Sequence, residues 1–403
     1  MTKTLHIGAY KDRYPTAFVL PRKSRHAVDP RLFLPLSKAR ANLDGLALYP
    51  PFQGENLLHA FNRVPLNHPR YVISFESHLP REFGLKERSL AGRTMMRDIS
   101  SNRCRRIIGL SHFAARNFLH QNRDAPELET LKRKLMVRYP NVIVPDTEDL
   151  LAEALSAGAP DVLELTFVGS HFARKGGLTV LRFAEEAQKR GLPVHINIVS
   201  SMQMGATVWT DPSNAEFFKP YLRLLDLLNV THSRGLPNSE VLALLAKSHF
   251  QLMPTFSDTF GYSIIEAMAQ HTPMIATNVQ AVPEMVVDGY TGLLLDLPTD
   301  ETGYWIAPTY ETRGDASYEA HFRDGIEALV EQLVARVSEV IGKPHLLLAM
   351  RRNARREAED KFSATASSAF YDAFYPRIAA EKISAVPAVD PALDVSSEPV
   401  KAG

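Results

Sequence analysis

The sequence predicts an α/β protein of two domains, each built around a doubly wound parallel sheet. Short apolar runs recur along the chain, and segments with helical periodicity, such as 176–191 and 238–248, separate the later runs. Strands that are apolar on both faces and alternate with helices are typical of parallel sheets covered on both sides. The predicted strands are residues 4–10, 71–75, 106–110, 141–145, 163–170, 194–200, 249–254, 273–277 and 291–296.

Changes in composition divide the chain into domains. Residues 146–161 are rich in acidic residues, Ala, Gly and Pro and predict a linker, which leaves an N-terminal domain at 1–145 and a C-terminal domain at 162–361. A polar stretch at 298–317 is interpreted as a surface insertion, and helices are predicted at about 318–341 and 344–361. Residues 362–380 predict a terminal helix that can return to the N-terminal domain, and residues 381–403 predict a disordered tail.

Composition excludes several classes of function. The 46 Lys and Arg residues balance 45 Asp and Glu residues, and aromatic interleaving is absent, so nucleic acid is not an expected partner. The single Cys104 is interpreted as a packed residue in a reducing compartment. The first residues predict neither a signal peptide nor a membrane span, so a cytoplasmic location is expected. The histidines show no zinc-ligand spacing and there is no D-x-D, so no metal site is expected.

The first of three strand-to-helix loops carries two cations. In "FVGSHFARKGG", 167–177, a strand ends near Gly169 and Ser170, and Arg174 and Lys175 precede a helix that opens on two glycines. Free N–H groups at a helix start, together with adjacent cations, favour phosphate. The alternative is an ordinary basic turn.

The second loop is the tight turn in "SRGLPNSEVLALL", 233–245. Gly235 and Leu236 precede a proline, and Asn238 or Ser239 can cap the following helix. Taken alone, this segment is interpreted as a capped helix start.

The third loop, "SDTFGYSIIEAM" at 257–268, places one acid before a helix and another inside it. The first N–H groups of the helix belong near Gly261, Tyr262 and Ser263, where Lys175 could share an anion with them. Asp258 and Glu266 could then accept hydrogen bonds from hydroxyl groups on the two sides of a diphosphate. The alternative is an acid that complements the helix dipole and a surface glutamate.

Residues 254–296 resemble the signature of retaining glycosyltransferases of family 4, which have the GT-B fold. The family motif is E-x7-E within a pattern like P-S-x-x-E-G-F-G-x-x-x-x-E-A-M-A, and here it matches Phe260, Gly261 and the segment Glu266–Ala269. The later segments "PMIAT", Pro283-Glu284 and "DGYTGLLL" also match. The resemblance covers about 160–296 and implies two Rossmann-like domains that face a central cleft.

The resemblance also implies a nucleoside-diphosphate sugar, UDP- or GDP-linked, as donor substrate, with no bound cofactor. Glu266 would hold the ribose, Asp258 with the amides of Gly261 and Tyr262 would hold the transferred sugar, and Lys175 would neutralise the diphosphate. The Gly235–Leu236 turn would touch the base. Transfer would retain configuration without a metal, to a glycan, lipid-linked or small-molecule acceptor, as in polysaccharide biosynthesis.

Three departures from the family pattern leave alternatives open. Asp258 replaces the first glutamate, Ser170 stands where the family has an arginine that Arg174 would replace, and "GAYKDRYPT" at 8–16 replaces a glycine-rich loop. A catalytically impaired nucleotide-sugar-binding protein is therefore an alternative. Another GT-B enzyme, such as an epimerase or phosphorylase, is a second.

The N-terminal half carries fewer signals. Glu76 and His78 follow the predicted strand at 71–75, where the family has a histidine beside the transferred sugar, and either residue is a candidate. Residues 81–140 contain fourteen basic residues against six acidic ones, which could attract the inner face of a membrane or a phosphorylated acceptor. The alternative is a set of solvated helix faces.

Overall fold

The computed structural model describes residues 4–10, 14–38, 43–49, 54–82, 88–146, 160–307 and 310–382. The chain divides into two compact units, Met1–Val142 with Lys361–Gly403, and Ile143–Asp360. Of the predicted linker and tail, residues 147–159 and 383–403 lie outside the described ranges. None of the described helices combines the length and the apolar character that a membrane crossing requires.

The first unit is built around a six-stranded sheet of order β2-β1-β5-β7-β8-β9, in which every pair of neighbours is parallel. Its central strands are buried on both faces, as expected for a covered parallel sheet. A small sheet of order β3-β4-β6 accompanies it. The strands are β1 His6–Tyr10, β2 Ala27–Arg31, β3 Leu34–Pro35, β4 Leu46–Leu48, β5 Leu57–Phe61, β6 Val64–Pro65, β7 Tyr71–Phe75, β8 Cys104–Gly109 and β9 Leu135–Val137.

The C-terminal helix completes the core of this unit. Four of its side chains pack in one cluster with β-strand residues of the first sheet, among them Ile7, Val72 and Ile108. The four are Tyr371, Phe374, Tyr375 and Ile378. The helices described in this unit are Tyr14–Val19, Leu90–Ser100, His112–Gln121, Leu128–Lys134 and Ala364–Ala380.

The second unit contains an all-parallel sheet of order β12-β11-β10-β13-β14-β15. Its strands are β10 Leu163–Val168, β11 Val194–Val199, β12 Val230–Ser233, β13 Phe250–Met253, β14 Met274–Thr277 and β15 Gly292–Leu295. The strand order reverses between β10 and β13, and the carboxyl ends of strands at such a point form a ligand crevice. The described helices are Gly177–Lys189, Lys219–Leu222, Asn238–Lys247, Tyr262–Ala269, Ala316–Ile341 and Pro344–Phe362, the last of which crosses the boundary between the units.

Two sequence interpretations are wrong. Residues 141–145 form no strand. Within this segment, which lies between Pro140 and Pro145, Val142 makes a single parallel bridge to Ser363. The stretch 298–317 is more than a surface insertion, because Arg313 is buried and donates to the carbonyl oxygens of Val208 and Asp211.

Cys104 lies buried in β8, where burial raises the pKa of its thiol to about 11, so it is a packed residue as predicted.

Candidate functional site

Two glycines allow the loop after β10 to lie tightly against its neighbours. A Cβ atom on Gly169 would lie 2.6 Å from Cδ of Lys175, so the aliphatic stem of this lysine occupies the space over the glycine. Gly176 has φ +89°, and a Cβ there would lie 2.0 Å from the carbonyl oxygen of Pro254. The loop after β10 and the loop after β13 are therefore in close contact. Ser170 is exposed and accepts through its carbonyl oxygen from the N–H of Gln203 at 2.9 Å.

Both predicted cations, Arg174 and Lys175, lie close to the predicted acid, Asp258. Nζ of Lys175 forms an ion pair with Oδ2 of Asp258, and Nη1 of Arg174 lies 4.0 Å from the same oxygen. Arg174 also donates to the carbonyl oxygen of Ser257. Burial works to raise the pKa of Asp258, but the two cations outweigh it, so the pKa is lowered and the carboxylate is charged at neutral pH.

The helix Tyr262–Ala269 begins directly after this acid loop. Gly261 precedes it with φ +83°, a left-handed conformation that glycine adopts without steric cost. Phe260 is buried with its ring 5.3 Å from that of Tyr262, and Ser263 is also buried. The helix begins shortly after Asp258 in the chain, so the amide donors of its first turn belong to the same loop-to-helix segment as the acid that both cations approach.

Glu266 is not a surface glutamate, because only 5% of it is exposed. Nδ2 of Asn238 donates to its Oε1 at 3.0 Å. The capping interpretation of Asn238 and Ser239 is wrong: the helix Asn238–Lys247 follows Pro237 with no side-chain cap. The asparagine instead fixes one oxygen of the buried acid and connects it to the turn at Gly235–Leu236.

Two residues that sequence reasoning missed orient the acid and the cations. Oε1 of Gln280 accepts from the backbone N–H of Asp258 and, at 2.9 Å, from Oγ of Ser257. Nδ1 of His171 accepts from Nε of Arg174 at 3.3 Å. Burial and then the positive charges of Arg174 and Lys175 lower the pKa of His171, so it is neutral and able to accept. No local pattern in the sequence marks either contact.

The loop after β11 is held by a buried acid. Asp211 accepts from the N–H of Gly205 at 3.0 Å, and burial raises the pKa of its carboxyl to about 7. A parallel bridge between His171 and Gln203 ties this loop to the one that carries Lys175.

A cavity of about 320 Å³ lies beside the predicted base turn. Leu236, Asn197, Thr231 and Leu244 are among the residues that line it. Lys175, Asp258 and Glu266 do not line it, so the cavity does not contain the cluster of charged groups.

The predicted residues of the first unit follow β7. Glu76 accepts from Nδ2 of Asn62 at 3.3 Å, and Nδ1 of His78 lies 3.0 Å from Oγ of Ser77. Burial, then the charge of Arg81, lowers the pKa of His78 to about 4, so this imidazole is neutral at pH 7.

Several basic residues of the 81–140 region have internal partners. Arg105 and Arg106 both pair with Glu381, and Nζ of Lys134 is buried and donates to the carbonyl oxygens of Ile99 and Ser101. These three side chains therefore make contacts within the first unit and do not form part of a solvated helix face.

The second-unit arrangement suits an anion flanked by hydroxyl groups. Ammonium, guanidinium and amide groups donate to anionic oxygens, while the buried carboxylates of Asp258 and Glu266 accept from hydroxyls. Within the described ranges, no group of three or more His, Cys, Asp or Glu side chains is placed to hold a metal ion.

Comparison with solved structures identifies the class. HepE from Anabaena, solved in complex with UDP, superposes with a TM-score of 0.59 at 12% identity over 93% of this chain and all of that chain. Sucrose-phosphate synthase from Thermosynechococcus elongatus gives 0.53 at 16% identity over 93% of this chain and 88% of that chain. With its two parallel sheets, the protein has the two-domain GT-B fold.

Within that class, residues 163–304 match the sequence profile of the family Glycosyl transferases group 1. A D-inositol 3-phosphate glycosyltransferase from Paenarthrobacter aurescens is 28% identical over 145 residues, which is 36% of this chain and 34% of that protein. The match thus spans about one third of that relative. Lys175, Asp258 and Glu266 all lie within residues 163–304, which the family profile matches.

Proposed function

We propose that the protein is a glycosyltransferase that takes its sugar from a nucleoside diphosphate. The observation that carries the proposal is that Lys175, in the loop after β10, pairs with Asp258, in the loop after β13, within the region matched by the family profile. Gly261 and Glu266 follow Asp258 at the start of the next helix and within it. A GT-B neighbour of the chain is described in complex with UDP, which supports a uridine or a related nucleotide.

Each group has a role that follows from its chemistry. The carboxylate of Glu266, held by Asn238, accepts from the ribose diol, and Asp258 accepts from the transferred sugar. Lys175 carries three donors and can keep its contact with Asp258 while it donates to the diphosphate. Charge that develops on the departing diphosphate is then stabilised by the ammonium group and the amides near Gly261, without a metal and with retention of configuration.

The acceptor belongs to the same proposal. We assign the acceptor to the saccharides, either lipid-linked or soluble. Glu76 or His78 of the first unit would be the group that contacts this acceptor. A neutral His78 can act as a hydrogen-bond acceptor or donor toward a hydroxyl group. Contact with an anionic membrane surface would use exposed basic residues of 81–140, such as Arg93, Arg97 and Arg116.

The first test measures donor binding. Isothermal calorimetry with UDP and GDP is compared for the wild type, Lys175→Ala and the matched control Lys219→Ala, a lysine whose side chain is 63% exposed. Lys175→Ala should weaken binding by roughly ten- to a hundredfold, since a hydrogen bond to a charged group contributes about 1.5–3 kcal/mol. The control should bind as the wild type does.

Two outcomes would decide against the proposal. If Lys175→Ala binds both diphosphates as tightly as the wild type, the site assignment is wrong. If the wild type binds a nucleotide sugar but neither transfers nor hydrolyses it with any acceptor offered, the alternative of a catalytically impaired binding protein replaces the enzyme.

A further inference from the structure

Gln280 has a conformation that its residue type does not favour. It lies after β14 with φ +51°, one of four non-glycine residues described with positive φ, and only 3% of it is exposed. A left-handed backbone is strained for a non-glycine residue, and such residues cluster at ligand sites. Its N–H donates to the carbonyl oxygen of Gly303 at 2.9 Å, which helps to hold the segment.

The orientation of the Gln280 carboxamide is fixed by its contacts. The backbone N–H of Asp258 can only donate, so the atom that faces it has to be the carboxamide oxygen. Oγ of Ser257 donates to the same oxygen at 2.9 Å. The amino group, Nε2, is therefore turned away from these two partners.

Nε2 of Gln280 is a buried donor without a hydrogen-bond partner among the described residues. Leaving such a donor unsatisfied is unfavourable, and most buried donors in proteins are paired. Because Nε2 and Oε1 share one carbon atom, the unpaired amino group lies close to the backbone of Asp258. The amino group can only donate and the Asp258 carboxylate can only accept, so residues 258 and 280 offer complementary hydrogen-bonding groups in the same group of loops.

A sugar hydroxyl fits this pair. A hydroxyl group has one hydrogen to donate and two lone pairs to accept with, so it can donate to the carboxylate of Asp258 and accept from Nε2 of Gln280. A phosphate oxygen has no hydrogen to offer the carboxylate, and the nearby cations Lys175 and Arg174 suit it better. This pair of groups therefore suits the sugar end of the nucleotide-sugar substrate better than its diphosphate.

We propose that Gln280 is a sugar-binding residue whose carboxamide donates to a hydroxyl group of the transferred sugar while it orients the Asp258 loop. The inference rests on the proposed function and deepens it, because it assigns a determinant of sugar recognition separate from diphosphate binding. The left-handed backbone places the side chain where both contacts can be made.

The test separates sugar binding from diphosphate binding. Calorimetry gives the dissociation constants of UDP, GDP, UDP-glucose, UDP-N-acetylglucosamine and GDP-mannose for each protein. The sugar ratio is the dissociation constant of the free nucleoside diphosphate divided by that of the corresponding nucleotide sugar. It measures how much the sugar contributes to affinity. Gln280→Gly suits the left-handed backbone and removes the carboxamide. Gln280→Glu keeps an acceptor for Asp258 and removes the donor. Met202→Gly, at another left-handed residue with φ +60°, is the matched control.

Gln280→Gly should bind the diphosphates within about twofold of the wild type. Gln280→Glu adds a negative charge and should bind every diphosphate more weakly, so this variant is judged by the ratio alone. In both variants the ratio should fall about tenfold, the effect of one hydrogen bond. Met202→Gly should keep the wild-type ratio. An unchanged ratio in both Gln280 variants, a wild-type ratio of one for every sugar, or equal losses for sugar and diphosphate would each overturn the inference while the proposed diphosphate site stands. If the wild type binds no diphosphate at all, the inference and the proposed function fall together.

Discussion

Glu266 shows how a contact from another element helps to orient an acid. It lies on the helix Tyr262–Ala269 and is almost fully buried, and Asn238, at the start of the helix Asn238–Lys247, donates to one of its carboxylate oxygens. A carboxylate held in this way has a defined orientation, which suits recognition of the two adjacent hydroxyls of a ribose. Asn238 is thus a positioning residue for the proposed nucleotide site.

Replacing Asn238 should weaken recognition of the ribose. Asn238→Ala is expected to bind UDP about threefold to tenfold less tightly than the wild type, because one hydrogen bond contributes about 0.5–1.5 kcal/mol. It should also discriminate less between UDP and 2′-deoxy-UDP, as measured by calorimetry.

The neighbouring Ser239→Ala is the matched control, since Ser239 is exposed and makes no described capping contact. Equal discrimination by Asn238→Ala and the wild type would show that Asn238 does not position Glu266.

The site residues differ in how visible they are in the sequence. Lys175, Asp258, Gly261 and Glu266 lie in local patterns of glycine, charge and helix start, so the sequence alone indicates them. Asn238 reaches an acid 28 positions away, and Gln280 contacts a residue 22 positions away. Such contacts depend on the packing of loops at the switch point of the sheet, which no single stretch of sequence encodes.

At the scale of elements, strands were predicted where both faces are apolar. β10, β13 and β14 lie within predicted runs, and the parallel sheet of the second unit is confirmed. Strands of mixed character were missed: β12 reads "VTHS" and lies at the edge of its sheet, and β2 reads "AVDPR". The pattern also missed β5, Leu57–Phe61, although this strand is buried inside the first sheet. Period and apolarity therefore identify most strands of the second sheet and are less reliable at exposed edges and in the first unit.

Two loops that follow strands of the second sheet yield a prediction about two glycines with similar backbones. Gly176 has φ +89° and Gly235 has φ +72°, but a Cβ on Gly176 would lie 2.0 Å from a backbone oxygen, while a Cβ on Gly235 would meet nothing within 4 Å. Gly235→Ala should lower the free energy of unfolding of the second unit by about 1–2 kcal/mol, the cost of the left-handed conformation. Gly176→Ala should cost clearly more, because the backbone itself has to move.

Urea unfolding followed by tryptophan fluorescence measures this difference, since both tryptophans, Trp209 and Trp305, belong to the second unit. Equal losses in the two variants would contradict the close contact between the loops after β10 and β13.

At the scale of the molecule, a buried histidine in β5 connects the sheet of the first unit to its C-terminal helix. Nδ1 of His59, in β5, lies 2.9 Å from the hydroxyl of Tyr375, and its Nε2 lies 2.7 Å from Oγ of Ser74. Tyr375 belongs to the C-terminal helix, 316 positions away. Burial lowers the pKa of His59 to about 3, so the folded first unit keeps this imidazole neutral.

This histidine should make the first unit sensitive to acid. The unfolded chain binds a proton at His59 below a pKa of about 6.5, whereas the folded chain does so only near 3, so stability is complete above pH 6.5 and falls as the pH decreases toward 3. At pH 5 the loss from His59 amounts to about 2 kcal/mol. His59→Gln removes the titrating group, so the difference in unfolding free energy between pH 7.5 and pH 5 should shrink by that amount. Circular dichroism follows both units and tryptophan fluorescence only the second, so the effect should appear in the first signal and be absent from the second. An identical pH dependence in the variant and the wild type would show that His59 is not the source of the acid sensitivity.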